Sequence, residues 1–325
     1  MKIGNIELDG NLILAPMAGI TDLPFRILCR KLGASLAFSE MISSNPSLKN
    51  TRKSQTRSDI STEPFPRAIQ ILGNNPKDMA DTAKYCIDIG ADIIDINMGC
   101  PAKKVCNKAT GSALLKNEPL IEEILSSVVN AIPSTPVTLK IRTGWSKKEN
   151  NALNVAHIAE NCGIKALTIH GRTRECRFGG EAEYKTIAQV KSRSSIPIIA
   201  NGDINSAQKA KYVLNNTNAD ALMLGRSVIG NPWVFSEIYS ATSHGLSQNR
   251  TKPTLQQQNQ IIIEHISAIH DFYGEIQGPK IARKHILSYC QLKNDFKTFW
   301  DKLVKIEDKN QQLRLLTSYL SSNVL

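Results

Sequence analysis

No apolar run in this 325-residue sequence approaches the roughly 18–20 residues that a bilayer-spanning helix needs. The longest candidates, Leu12–Ala18 and Ala221–Leu224, have the length of strands. The start, Met1-Lys2-Ile3-Gly4-Asn5, carries one charge and no apolar stretch behind it, so no secretory signal is expected. No CxxC pair offers a zinc site. The seven cysteines (29, 86, 100, 106, 162, 176, 290) are odd in number and scattered, unlike a disulfide framework. A reducing cytoplasm is the expected compartment. Acidic residues are scarce, with 29 Asp and Glu against 40 Lys and Arg, a net charge of +11. Charged residues total only 21%, so the surplus comes from imbalance and not from a basic tail. It points to a polyanionic partner, nucleic acid first and an anionic membrane surface second. With 41% apolar residues the chain has enough for a packed core.

Short β-rich runs recur, with helical stretches between them. They begin at Leu12, Leu36, Pro66, Asp92, Pro136, Ala166, Ile196 and Ala219, with a spacing of roughly 30 residues, the length of one βα unit. Between them, Met79, Ala83, Cys86 and Leu153, Ala156, Ala159 recur at helical steps. Gly33, Gly90 and Gly163 stand where C-cap glycines belong. Eight such units predict an α/β fold, a (β/α)8 TIM barrel with a C-terminal all-helical domain; a doubly wound open sheet is the alternative. The expected boundaries are a barrel over 1–242, a polar linker over 243–254 and a helical domain over 255–325. Between the fourth and fifth runs, Gly99–Gly111 is too long for a plain βα turn; loops of that length are usually functional or disordered.

Asn97-Met98-Gly99-Cys100-Pro101 stands where the fourth run meets that loop. Pro101 holds Cys100 extended and Gly99 permits a sharp turn, which presents a thiol at the strand's C-terminal edge. A small buried cysteine at a turn is the plain alternative. Asn201-Gly202-Asp203 closes the seventh run and Gly225-Arg226 the eighth. Loops after strands seven and eight form the usual phosphate site of such barrels, where Arg226 adds a charge-assisted fork. Gln70, Lys140 and His170 are single polar residues in otherwise apolar runs, an expensive placement when unpaired. Each alone has an ordinary reading as a satisfied structural residue. Three facing one mouth favour a polar ring: an amide and a cation suit a flavin's pyrimidine carbonyls and reduced N1.

Ala15–Asp22 (APMAGITD), Gln70–Gly73, Asp95–Pro101, Lys140–Trp145, His170–Thr173, Asn201–Ile204 and Gly225-Arg226 together resemble the tRNA-dihydrouridine synthases. CPAKKV, GSALL and the KIGNIELDGNLILAPMAGITD opening are most similar to the bacterial B-type branch. The resemblance runs through the barrel to about residue 240; the tail fits the family's helical domain by length and position. It implies reduction of the C5–C6 bond of D-loop uridines in tRNA, with FMN as cofactor and NADPH, or NADH, as reductant. Carried over residue by residue, Pro16, Met17 and Ala18 would pack the flavin. Gln70 and Lys140 would meet its polar edge, and His170 would sit beside it. Asn201, Gly202, Asp203, Gly225 and Arg226 would hold its phosphate side. Asn97 and Arg142 would face the uracil. The implied reaction is a hydride from reduced flavin N5 to C6 with Cys100 protonating C5. An unperturbed thiol, with a pKa of about 8.5, carries its proton at pH 7; a nearby cation favours thiolate, so Lys103 and Lys104 leave both states open at the level of sequence. Cys106, in the same loop but away from the strand end, is expected to be dispensable.

A base in folded RNA must swing out to reach a flavin. Basic residues follow four strands: Lys49, Arg52, Lys53 and Arg57; Lys103, Lys104 and Lys108; Lys147 and Lys148; Arg172, Arg174 and Arg177. In a barrel they would crowd one face and position a phosphate backbone, although any one run has a bland reading as solvated charge. Arg283, Lys284, Lys293 and Lys297 of the tail would grip the RNA body. The expectation is a monomeric, cytoplasmic, metal-free enzyme without membrane contact or an obligate protein partner. One rival is a flavin barrel acting on a free pyrimidine-like metabolite. Another is a catalytically silent RNA-binding barrel.

Overall fold

The protein is described from a computed structural model covering residues 1–48, 51–242 and 252–322. Residues 243–251 of the expected linker, and Lys49 of the expected basic cluster, lie outside the described residues. The chain divides into two compact units, Met1–Gly225 and Arg226–Leu325.

In the first unit eight parallel strands close on themselves. They are β1 (Leu12–Leu14), β2 (Leu36–Ala37, resuming at Ile42–Ser43), β3 (Ala68–Leu72), β4 (Ile93–Met98), β5 (Val137–Arg142), β6 (Ala166–His170), β7 (Ile198–Asn201) and β8 (Ala221–Leu224). Neighbours in sequence pair in parallel, and β8 returns to β1 with Leu222 opposite Leu12. β2 is broken in the middle; its Phe38 bridges Ala68 and completes the ring. The circular order is that of the expected barrel, not of an open sheet.

The helices between strands begin at residues suited to the task. Asp22, Asn75, Asn117 and Ser206 each accept from the backbone N–H three residues on, and Pro24, Pro76 and Pro119 stand in the first turns. Gly33, Gly90 and Gly163 have positive φ just past helix ends, where the chain must reverse.

Side chains alternate along each strand. Those facing the barrel axis are apolar at the lower end: Ile13, Leu36, Ala68, Ile93, Ala166, Ile199 and Ala221 form one buried cluster. Ile3, Ile6 and Leu8 of an N-terminal hairpin (Lys2–Ile3 against Ile6–Glu7) join the same cluster. A Cβ on Gly4 of the hairpin would stand 2.9 Å from Pro136 Cγ, at the foot of β5. The hairpin therefore stoppers the barrel's N-terminal end, and each buried aliphatic side chain contributes about 1.5–3 kcal/mol. Toward the C-terminal end the axis-facing residues turn polar: Gln70, Asp95, Asn97, Thr138, Lys140, Thr168, His170 and Asn201. This gradient gives the barrel one dry end and one chemically active end.

The second unit is helical, as expected for the tail: Val234–Thr242, Leu255–Cys290, Phe296–Leu303 and Lys309–Ser322. The long helix is broken at Gly274, φ +76°, and carries Pro279. Ile262, Ile266, Ile269, Ile286, Leu303 and Leu316 form its core, with the rings of Phe299 and Tyr319 stacked 3.9 Å apart. No helix among the described residues is long and apolar enough to cross a membrane.

Candidate active site

The polar end of the barrel is joined by hydrogen bonds. Thr138 Oγ1 donates to Asp95 Oδ1 at 2.6 Å, and Gln70 Nε2 donates to Asp95 Oδ2 at 2.7 Å. Asn97 Nδ2 donates to Gln70 Oε1 at 2.7 Å. Asn97 Oδ1 accepts from the backbone N–H groups of Gly99 and Cys100 at 3.1 and 3.0 Å. A second branch runs from Lys140 Nζ to Asn201 Oδ1 at 3.1 Å, and from Asn201 Nδ2 to the Met223 carbonyl at 2.7 Å. Gln70, Asp95, Asn97, Lys140 and Asn201 are all buried. Partners of this kind are what make such burial tolerable.

Cys100 is half-buried at the end of β4, and its peptide is held from three sides. Asn97 holds its N–H. Ser112 holds its carbonyl through Oγ at 2.8 Å and through its backbone N–H at 3.1 Å. Arg142 Nε holds the Gly99 carbonyl at 2.9 Å. Gly111, φ +62°, makes the fold-back of the loop possible: a Cβ there would lie 2.9 Å from the Cys100 carbonyl oxygen. Burial pushes the Cys100 thiol up from its ordinary value of 9.0, with the Ala102 N–H and the Arg142 and Lys140 charges opposing. Lys103 and Lys104 are both exposed in a short helix, Lys103–Cys106. Cys106 Sγ lies 3.6 Å from the Cys100 carbonyl oxygen.

Lys140 is the buried cation of the site. Burial lowers its pKa to about 8, and the Asp95 carboxylate works against that fall. Burial raises Asp95 to about 6 against the hydrogen bonds from Thr138 and Gln70 and the Lys140 charge. The two charges thus oppose each other's burial, while Lys140 Nζ itself is bonded to Asn201.

The rim is arranged by Arg172. Its guanidinium grips Asp203 at 2.9 and 2.6 Å, holds the Gly179 and Gly180 carbonyls, and stands 3.3 Å from His170 Nε2. Arg172 is only 4% exposed, so its assignment to an RNA-facing cluster is corrected: its donors are engaged inside the protein. Arg142 is likewise buried, with Nη1 on the Thr173 and Arg177 carbonyls. Gly202 has φ +127°, and a Cβ there would come within 2.7 Å of Ala182 and 3.1 Å of His170. It is buried at the seventh strand tip, and its carbonyl accepts from Tyr184 Oη at 2.7 Å. Gly225 ends β8; a Cβ there would meet only Ala15 and Met17, at 3.8 Å. Pro16 and Met17 are half-buried and Ala18 exposed, in a turn closed by Met17 N–H to Thr21 Oγ1 at 3.0 Å. Arg226 is exposed and opens the second unit.

Hydrogen bonds thus join Gln70, Asn97 and the Cys100 peptide in one set, Lys140 and Asn201 in a second, and His170 and Asp203 through Arg172 in a third, while Gly202 lies close to His170 and Gly225 close to Met17. Sequence reasoning missed Asp95, Thr138, Ser112 and the inward role of Arg172. The signal for the first two was present: polar residues two apart, Asp95 and Asn97 on one strand and Thr138, Lys140 and Arg142 on the next, mark one strand face.

The description Dihydrouridine synthase (Dus) matches residues 13–324. The tRNA-dihydrouridine synthase B of Vibrio cholerae is 51% identical over 324 residues, covering 99% of each chain. That of Proteus vulgaris is 52% identical over 324 residues, again 99% of each, and that of Pseudomonas syringae 50% identical over 323 residues, 99% of this chain and 94% of its own. In fold alone, the old yellow enzyme homologue from Zymomonas mobilis superposes with a TM-score of 0.55 at 13% identity, covering 78% of this chain and 96% of that one. TcOYE with pHBA gives 0.57 at 13%, covering 78% and 98%. Half of all residues shared over almost the full length leaves one conclusion: the chain belongs to the dihydrouridine synthase family, alongside its B-type members.

Proposed function

We propose that this protein reduces the C5–C6 double bond of D-loop uridines in tRNA, with FMN as its cofactor and NADPH or NADH as reductant, acting as a cytoplasmic monomer. The observation that carries the reading is the polar end of the barrel, where Lys140 Nζ is held on Asn201 and Asn97 anchors the peptide of Cys100. Full-length similarity to the B-type tRNA-dihydrouridine synthases supports the substrate class.

The residues suit FMN. Gln70 and Lys140 offer an amide and a cation to a ring edge that carries carbonyls, and His170 stands at the next strand tip. The glycines at the seventh and eighth strand tips, Gly202 and Gly225, let a phosphate come close to the backbone. Pro16, Met17 and Ala18 supply an apolar wall beside it. FMN, when bound, supplies the hydride for uracil C6. The protein supplies the proton. Cys100 gives its thiol hydrogen to C5, so hydride and proton together saturate the bond and the thiolate regains a proton from water. Its raised pKa keeps the acid loaded at neutral pH. Asn97 orients the uracil while anchoring Cys100. Arg142, with three backbone carbonyls on its guanidinium, acts on the uracil pocket by holding the Gly99 and Thr173 turns. Exposed Lys103, Lys104, Lys108, Lys147 and Lys148 meet the tRNA backbone.

The test is dihydrouridine formation by purified, flavin-loaded protein on unmodified tRNA and on free uridine. Product on tRNA alone is expected. Equal turnover of free uridine would favour a small-metabolite reductase, and no product on either would reject the reading.

A further inference from the structure

The buried chain of hydrogen bonds has two ends whose sense is fixed. At one end Asp95, ionised, can only accept. At the other, the N–H groups of Gly99 and Cys100 can only donate. Between them stand two amides, Gln70 and Asn97, and each could turn over by half a rotation about its last bond. Of the four combinations one satisfies every link. It puts Gln70 Nε2 on Asp95, Gln70 Oε1 on Asn97 Nδ2, and Asn97 Oδ1 on the two backbone groups. Turning either amide sets oxygen against oxygen or N–H against N–H. All three side chains are buried, so water cannot mend the mismatch.

We propose that Asp95 is a positioning residue for Cys100: its carboxylate dictates the sense of the relay through Gln70 and Asn97 and so keeps Asn97 Oδ1 on the Cys100 N–H. Thr138, on the other oxygen of Asp95, keeps that carboxylate facing Gln70. The relay stands on geometry alone; its bearing on catalysis rests on the reading of Cys100 as the proton donor.

Moving the charge tests it. Asn97→Asp places a second acceptor-only group against Gln70, whose amide oxygen must then face one carboxylate. Adding Asp95→Asn relieves the conflict. The new amide at 95 donates to Gln70 Oε1, Gln70 Nε2 donates to the new carboxylate at 97, and that carboxylate still accepts from the Cys100 N–H. The readout is the rate of Cys100 alkylation by iodoacetamide, mapped by peptide mass spectrometry on the full-length protein. The oxygen-against-oxygen conflict at Gln70 pushes the new carboxylate off the Cys100 N–H and speeds alkylation by about tenfold in Asn97→Asp, and the double variant returns to within about threefold of the original. A double variant alkylated as fast as Asn97→Asp, or faster, overturns the proposal. Should Asn97→Asp fail to fold by itself, the double variant must unfold cooperatively, and its failure to do so overturns the proposal equally. Unaltered protein that forms no dihydrouridine while this cycle holds would sink the functional reading and leave the relay standing.

Discussion

Lys140 Nζ reaches past the sixth strand to Asn201 Oδ1, 3.1 Å away, and so links the cation of β5 to the tip of β7. Burial has brought that ammonium's pKa down to about 8. The sign follows directly. Below about pH 8 the group is charged; above it the charge is lost. Reduction of bound flavin by NADPH is therefore expected to slow as pH rises from about 7 to about 9, a change read by stopped-flow absorbance. Lys140→Met should remove that pH response and lower the flavin content of purified protein. An unchanged profile in the variant would assign the titration to another group.

Cys100→Ala should keep its flavin and the reduction of that flavin by NADPH. Oxidation of the reduced flavin by tRNA in a single turnover is expected to fall by about 10²–10⁴, the usual contribution of a positioned acid. Because burial raises the thiol's pKa, alkylation of Cys100 in the unaltered protein should level off at a higher pH than that of a free thiol such as glutathione. Cys106→Ala is expected to turn over normally.

Asp203→Asn weakens a two-pronged contact to an almost fully buried guanidinium, with side-chain exposures of 27% and 3%. Breaking a buried pair by altering one partner costs roughly 3–5 kcal/mol, and the partial exposure of Asp203 puts the expectation at the low end, about 3 kcal/mol. Urea unfolding measures it. The 176–182 loop, whose Gly179 and Gly180 carbonyls Arg172 also holds, should gain protease sensitivity.

Raising salt from about 50 to about 200 mM should weaken tRNA binding by one or more orders of magnitude, as expected for several lysine–phosphate contacts. Filter binding measures it. A flat response would remove the electrostatic account of the +11 charge.

The barrel was legible because its strands are buried on both faces and read as apolar runs, so Leu12, Leu36 and Ala166 open strands where those runs open. The position of Cys100 just past a strand end was legible from Gly99 and Pro101 beside it. Arg172 was not. Three arginines in six residues resemble a surface cluster, and only the fold brings Asp203, thirty-one residues on, against one of them. The carbonyl partners of Arg142 were equally hidden, because they lie in turns far along the chain. Asp95 was visible as a letter in DIIDINM, but its role depends on Gln70 and Thr138 of the two flanking strands. Such partnerships are set by register, which no single run contains.

The N-terminal hairpin has a kinetic corollary. With Ile3, Ile6 and Leu8 corking one end, the polar end is the doorway that the described residues of the barrel leave. In the proposed function nicotinamide and nucleobase must both come to the flavin through it, and two planar guests cannot occupy one threshold at once. Electrons then arrive in one visit and leave in another, and oxidised nicotinamide should compete with tRNA for the reduced protein.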